Sequence, residues 1–102
     1  MQTKINYLYR DASNWKFRGF VVVEGIISKE MFGPMLFDTD QFVPHEVGLM
    51  HLLDMPINED DHYLHELEEF EAVEGHETIC DSNELLNRFA IAAEKGWLHS
   101  II

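Results

Sequence analysis

A short polar segment near the N-terminus has side chains that could bind an anion. Tyr9–Lys16 contains two cations, hydroxyl and amide groups, and two aromatic rings. Arginine and lysine bind phosphate, and a tyrosine or tryptophan ring stacks on a base, so the segment suits a nucleotide-like ligand. It lacks the glycines of a phosphate loop, and an ordinary solvated turn is the alternative. The candidate ligand-binding residues are Tyr9, Arg10, Asp11, Ser13, Asn14, Trp15, Lys16 and Arg18.

A second polar cluster, within Asp60–Glu66, has residue types that bind metals. On a helix, His65 would share a face with His62 and with Asp61, which precede it by three and four residues. Neutral imidazoles and carboxylates bind zinc or another transition metal. The order His-x-x-His-Glu differs from the zinc-protease spacings, and polar residues at an acidic helix start are the alternative. The candidate metal ligands are Asp61, His62, His65 and Glu66.

No residue has the sequence context of a catalytic nucleophile. The chain contains no Gly-x-Ser-x-Gly elbow, Walker loop or dinucleotide-binding fingerprint. Cys80 lies close in sequence to Glu77, Asp81 and Glu84, which would disfavour a reactive thiolate. We therefore expect a protein that is not an enzyme, with no cofactor apart from the divalent metal considered above.

The cysteine content and the hydropathy bear on the compartment. A single cysteine excludes an intrachain disulfide, which fits a reducing compartment. No apolar run approaches the roughly 20 residues of a membrane span, and the first residues lack a signal-peptide core. We expect a cytoplasmic protein, in a cell or in an infected host, with no membrane partner.

The charged residues are unevenly distributed along the chain. The net charge is −12, yet residues 1–29 contain five of the seven Lys and Arg. Residues 30–87 contain sixteen acidic residues and no Lys or Arg. Such a surface repels nucleic acid and favours a cation or a basic protein partner, although a well-solvated surface is the plainer alternative. We expect no direct binding of nucleic acid.

The polar segment joins two predicted strands. In Lys4–Arg10, apolar residues recur at every second position, which is the period of a strand. Trp15–Val23 alternates in the same way, and its second half is apolar on both faces, so this strand is expected inside the sheet. Asp11–Asn14 has the residue types of a turn. The sequence therefore predicts an N-terminal β-hairpin.

The acidic stretch of residues 63–74 is ambiguous between helix and strand. Its apolar residues keep mostly helical spacing, so a helix is preferred. Its five glutamates have no lysine among them, and they forgo the ion pairs that usually support an exposed helix. A strand paired with the hairpin is therefore the alternative. The apolar residues are Tyr63, Leu64, Leu67, Phe70 and Val73.

A clearer helix is predicted near the C-terminus. Asp81 or Ser82 would cap its N-terminus, and Gly96 suits the position after its end. A short or kinked helix is predicted after Ser28, and a short strand at Phe42–Val43. The apolar stripe of the C-terminal helix comprises Leu85, Leu86, Phe89, Ala90 and Ala93.

These elements predict one α+β domain over residues 1–102. Its antiparallel sheet is built on the N-terminal hairpin and packed by one to three helices. A domain of this size buries a modest share of its surface. Because the apolar segment Trp97–Ile102 would dock on the body or bind a second subunit, a homo-oligomer is a further expectation.

Three pieces of the sequence together resemble a set of small uncharacterised bacterial and phage proteins. The pieces are Tyr7–Lys16, Gln41–Leu49 and Asp60–Glu66, in the same order and over most of the chain. The resemblance implies no activity and no functional residues. It implies a more strand-like segment after Asp60–Glu66. A phage origin would, by analogy alone, add the expectation of a protein that inhibits host defence, either by sequestering a nucleotide signal or by presenting an acidic surface.

Three functional expectations follow from the residues. The preferred one is a small non-enzymatic binding module, in a phage or bacterial defence setting, that presents the polar segment to a small anionic ligand or a protein partner. The second is an acidic decoy or inhibitor of a basic, nucleic-acid-binding protein. The third is a metal-dependent hydrolase in which the metal held by Asp61, His62, His65 and Glu66 activates water.

Overall fold

The protein has an α+β fold, as the sequence predicts. A computed structural model describes residues 1–10, 16–37, 40–50, 52 and 64–97. Within these ranges, no helix is long and apolar enough to cross a membrane. The strands are β1 (Gln2–Arg10), β2 (Lys16–Glu24), β3 (Gln41–Phe42), β4 (His65–Val73) and β5 (Cys80–Asp81), and the helix α1 is Ser82–Glu94. Short 3₁₀ helices occupy Lys29–Met31, Gly33–Met35 and Pro44–Val47.

The strands form a single sheet around the predicted hairpin, in the order β3-β4-β1-β2-β5. β1 and β2 are antiparallel, from the pair Gln2 and Glu24 to the pair Arg10 and Lys16. β4 adds antiparallel to the other side of β1, and β5 adds parallel to β2. The antiparallel sheet predicted on the hairpin is present, but the sheet as a whole is mixed, because the chain leaves β4, crosses past β1 and β2, and enters β5 in the direction of β2.

In the described part of the ambiguous stretch the preferred helix was wrong and the alternative strand was right, because residues 65–73 form β4. The reason is an irregularity in the pairing of β4 with β1. Tyr7 lies opposite Leu67 and Ile5 lies opposite Phe70, so two steps on β1 match three on β4. This β-bulge brings Leu67 and Phe70 to the same face of the sheet although they are three residues apart. A bulged strand thereby imitates the spacing of a helix.

The two faces of the sheet differ in character. The face that carries Ile5, Tyr7 and Leu67, here called the core face, is covered by α1 and the 3₁₀ helices. The opposite face, here called the outer face, carries Lys4 and Arg18. This division follows the alternation predicted for β1, which places its polar residues away from the core.

The helix α1 begins and ends near the predicted residues. Its N-cap Asp81 accepts a hydrogen bond from the Glu84 backbone N–H at 2.8 Å, and Gly96 follows its end with a φ of 69°. Leu85, Phe89 and Ala92 are its buried side chains. The predicted stripe was wrong at Ala90, which is exposed.

Two shorter predictions have mixed outcomes. The predicted short helix after Ser28 is a pair of 3₁₀ helices, and the predicted strand at Phe42–Val43 is β3, one residue earlier.

Trp97 docks on the body as predicted, since it is buried and its Nε1 donates a hydrogen bond to the Met35 carbonyl at 3.2 Å. Residues 98–102 lie outside the described ranges.

Candidate functional site

Half of the candidate ligand-binding residues lie within the described ranges. Tyr9 is fully buried, and its ring lies 5.0 Å from that of His65 and 6.4 Å from that of Phe17. Its ring therefore belongs to the core and cannot stack on a base without leaving it. Lys16 is exposed at the start of β2. Asp11, Ser13, Asn14 and Trp15 lie outside the described ranges, so the predicted site as a whole stays a prediction.

Three cations of the hairpin form ion pairs with glutamates of β4 across the outer face. Arg10 Nε lies 3.6 Å from Glu66 Oε2, and Lys4 Nζ lies 3.9 Å from Glu71 Oε2. The third pair joins Arg18 Nε to Glu68 Oε1 at 3.3 Å. The side chains are partly exposed, so each pair contributes only about 0–1 kcal/mol to stability. Together, these pairs, here called the ion-pair ladder, neutralise much of the positive charge of the hairpin.

The Arg18 pair also explains an apolar residue on the outer face. Arg18 lies opposite Leu8 in the β1–β2 register, and Leu8 lies opposite Glu66 in the register with β4. To reach Glu68 on β4, the Arg18 side chain must cross β1 beside Leu8, where an aliphatic stem can shield an apolar neighbour. Leu8 is accordingly only 4% exposed, although it points away from the core.

The candidate metal ligands are not brought together within the described ranges. His65 is fully buried, and its Nε2 accepts a hydrogen bond from the Leu52 backbone N–H at 3.2 Å. Glu66 follows it on the outer face, where it pairs with Arg10. Among the residues that the structure describes, no three His, Cys, Asp or Glu side chains form a group that could hold a metal. Asp61 and His62 lie outside those ranges, so the metal site stays a prediction.

Cys80 lies half-buried in β5, at the edge of the sheet. Burial raises the pKa of its thiol, and Glu84 and Asp81 add to this increase, while Arg88 opposes it. The thiol is therefore mainly protonated at neutral pH, which disfavours a nucleophilic role. Of the three carboxylates that lie near Cys80 in sequence, Asp81 and Glu84 contribute, but burial is the larger cause.

Two of the hollows beside the sheet bear on function. One, of about 510 Å³, lies next to the ion-pair ladder and contains Lys29, whose Nζ donates to the Leu67 carbonyl at 2.9 Å. The other, of about 670 Å³, follows the free side of β2 and is here called the β2 groove. Sequence reasoning missed this groove, although the apolar run in the second half of β2 was a signal for it. Its main lining residues are Phe20, Val21, Met50, Leu52, His76 and Ile79.

Comparison of the chain with family models, curated proteins and solved structures finds no match in any of the three. No relative therefore lends this chain an activity, a ligand or a partner. The ion-pair ladder, the acidic residues around it and the β2 groove are the features from which function has to be inferred.

Proposed function

We propose that the chain is a non-enzymatic binding module and that its partner is a protein with a basic surface. The observation that supports this is the ion-pair ladder. Because Lys4, Arg10 and Arg18 are already paired with glutamates, the cation-rich hairpin offers little free positive charge to an anion. The remaining acidic residues of a chain with net charge −12 have far fewer cations to balance them.

Exposed acidic residues lie along the second half of β4 and just after it, and one of them, Glu71, also belongs to the ladder. Glu69, Glu71 and Glu74, here called the acidic rim, are all exposed. Only Glu71 has a Lys or Arg partner within ion-pair distance among the described residues. A row of exposed carboxylates of one sign attracts a basic surface over a distance and repels nucleic acid. A decoy for a nucleic-acid-binding protein would need both properties.

Neutralising the acidic rim should weaken binding to a basic nucleic-acid-binding protein. We expect the double variant Glu69→Gln/Glu74→Gln to bind such a probe protein about tenfold more weakly at low salt, because two favourable charges are lost. The matched control is Glu30→Gln/Glu94→Gln, which changes the net charge equally at two exposed residues elsewhere. Calorimetry at low and at physiological ionic strength measures both. Equal losses in the two variants, or affinity indifferent to salt, would refute the proposed interface.

A small anionic ligand at the hairpin tip is the second proposal, supported by the exposed Lys16 and the half-exposed Arg10. Because Glu66 competes for Arg10, Glu66→Gln should strengthen the binding of a nucleotide several-fold, and Arg10→Ala should weaken it. Calorimetry with nucleotides and cyclic nucleotides tests both variants. The absence of binding by either variant and by the unaltered chain would exclude this ligand class.

The setting proposed with this function is the reducing cytoplasm of a cell or of an infected host. A chain with one cysteine supports that compartment. A phage- or defence-related role is part of the same proposal, and the resemblance of the three sequence pieces to small bacterial and phage proteins supports it.

A further inference from the structure

Glu71 is held by two residues of β1 on the outer face. It lies directly opposite Lys4 in the β1–β4 register, and Lys4 Nζ lies 3.9 Å from Glu71 Oε2. Asn6 Nδ2 donates a hydrogen bond to the same carboxylate oxygen at 2.9 Å and another to the Glu69 carbonyl at 2.8 Å. Asn6 can therefore orient the carboxylate whether or not Lys4 lies beside it.

Lys4 also contacts an aromatic ring on its other side. Its Nζ lies 4.4 Å from the centroid of the Phe20 ring. Phe20 belongs to β2, which pairs with the side of β1 away from β4. A cation over the face of an aromatic ring is attracted by the negative charge of that face. One ammonium group thus lies between a carboxylate on one neighbouring strand and a ring on the other.

The carboxylate and the ring are both accessible to a partner. The Glu71 side chain is 52% exposed and Phe20 is 53% exposed, whereas the Lys4 side chain between them is 29% exposed. Ion pairs and cation–π contacts at exposed sites are individually weak. A partly exposed lysine side chain also changes rotamer within nanoseconds. Lys4 can therefore leave both contacts without any change in the sheet.

We propose that Glu71 and Phe20 form a receptor for one lysine or arginine side chain of the basic partner, and that Lys4 occupies this receptor when the partner is absent. This inference rests on the proposed function and adds the site and the residue type that the partner presents. A carboxylate beside a ring suits such a side chain, because the carboxylate pairs with its charge and the ring contacts its aliphatic stem. The ammonium of Lys4 marks the position of the incoming cation.

Lys4 is, in this proposal, an internal competitor of the partner. A site that is free for only a fraction of the time binds its ligand more weakly by that fraction. If Lys4 occupies the receptor about three quarters of the time, the cation of the partner binds about fourfold more weakly. A basic partner can still displace Lys4, because its other cations are attracted to Glu69 and Glu74, the remaining residues of the acidic rim.

Removing the Lys4 side chain should strengthen binding to a basic probe. We expect Lys4→Thr to bind a purified lysine-rich histone about fourfold more tightly than Lys95→Thr does. Threonine suits the outer face of a strand, and its side chain lacks the charge and the length to occupy the receptor. The control removes the same charge from an exposed residue at the end of α1. Calorimetry at low and at physiological ionic strength measures the dissociation constants.

Two further substitutions distinguish the receptor from a general effect of charge. Because Lys4 lies beside the acidic rim, its removal could strengthen binding simply by removing a cation that repels the histone. That gain would persist in a Phe20→Leu background, which keeps an apolar side chain, and in a Glu71→Gln background. The receptor requires instead that the gain fall to about half in the first background and vanish in the second.

The outcomes separate this inference from the proposed function. If neither the unaltered chain nor any variant binds the histone, the proposed function fails and the receptor fails with it. If they bind it and Lys4→Thr gains no more than Lys95→Thr, only the receptor is contradicted. A gain of equal size in all three backgrounds also overturns it. Urea denaturation checks that each variant is folded, and a loss of stability without a gain in affinity would mean that Lys4 only ties the strands together.

Discussion

Replacing Phe89 with alanine should lower the free energy of unfolding by about 3–5 kcal/mol. Phe89 is fully buried on α1, and its ring lies 4.8 Å from that of Phe32 and 5.4 Å from that of Phe42. The Trp97 ring lies 5.8 Å from the Phe89 ring. The side chain thus joins the helix to β3, to the 3₁₀ segment and to the chain after the helix. Its removal would leave a cavity that four separate segments would have to move to fill.

A loss of this size is a large fraction of the total stability of a small domain, which is about 5–15 kcal/mol. Urea denaturation followed by circular dichroism, at one fixed protein concentration, measures it. Ile91→Ala is the matched control, since Ile91 lies on the same helix but is 46% exposed. It should change the stability by about 0.5 kcal/mol or less. A loss below about 1 kcal/mol for Phe89→Ala would show that Phe89 is not central to the core.

The elements that the sequence predicts well are those with a regular period. β1 alternates except at Leu8, β2 alternates in its first half, and α1 has a cap, an apolar stripe and a terminal glycine, so local signals and the fold agree. β4 is not predicted as a strand, because its bulge interrupts the two-residue period at one point. The position of a bulge depends on the partner strand, and a single sequence contains no direct signal for it.

The charge pattern shows a similar limit for the site. The sequence separates the cations of residues 1–29 from the acidic residues of 30–87, and this separation favours an anion site on the hairpin. Residues 65–73 form a strand beside β1, however. Three glutamates of the acidic stretch, Glu66, Glu68 and Glu71, therefore lie next to the cations of the hairpin. Strand order, which composition does not reveal, therefore decides whether the hairpin is a free basic surface or half of an ion-pair ladder.

Replacing His65 with alanine should lower the free energy of unfolding by about 2–4 kcal/mol. The imidazole is fully buried and lies 6.0 Å from the Tyr7 ring and 6.2 Å from the Phe42 ring. Alanine would leave a cavity among these rings and leave the Leu52 N–H without its acceptor, since that N–H bonds to His65 Nε2. Urea denaturation measures the loss. His65→Leu restores most of the volume but not the acceptor, so it should recover only part of the stability.

The same variants distinguish a structural role of His65 from the metal site predicted from its sequence neighbourhood. If His65 has a structural role, a chelator should leave the unfolding midpoint of the unaltered chain unchanged. His65→Ala should then lower the free energy of unfolding by the same amount with and without the chelator. A metal role requires the chelator to lower the midpoint of the unaltered chain and to have no effect on the variant, because binding to the native state stabilises it by mass action. The burial of His65 and its bond to Leu52 favour the first result. The second would mean that the imidazole leaves the core to bind metal with Asp61 and His62.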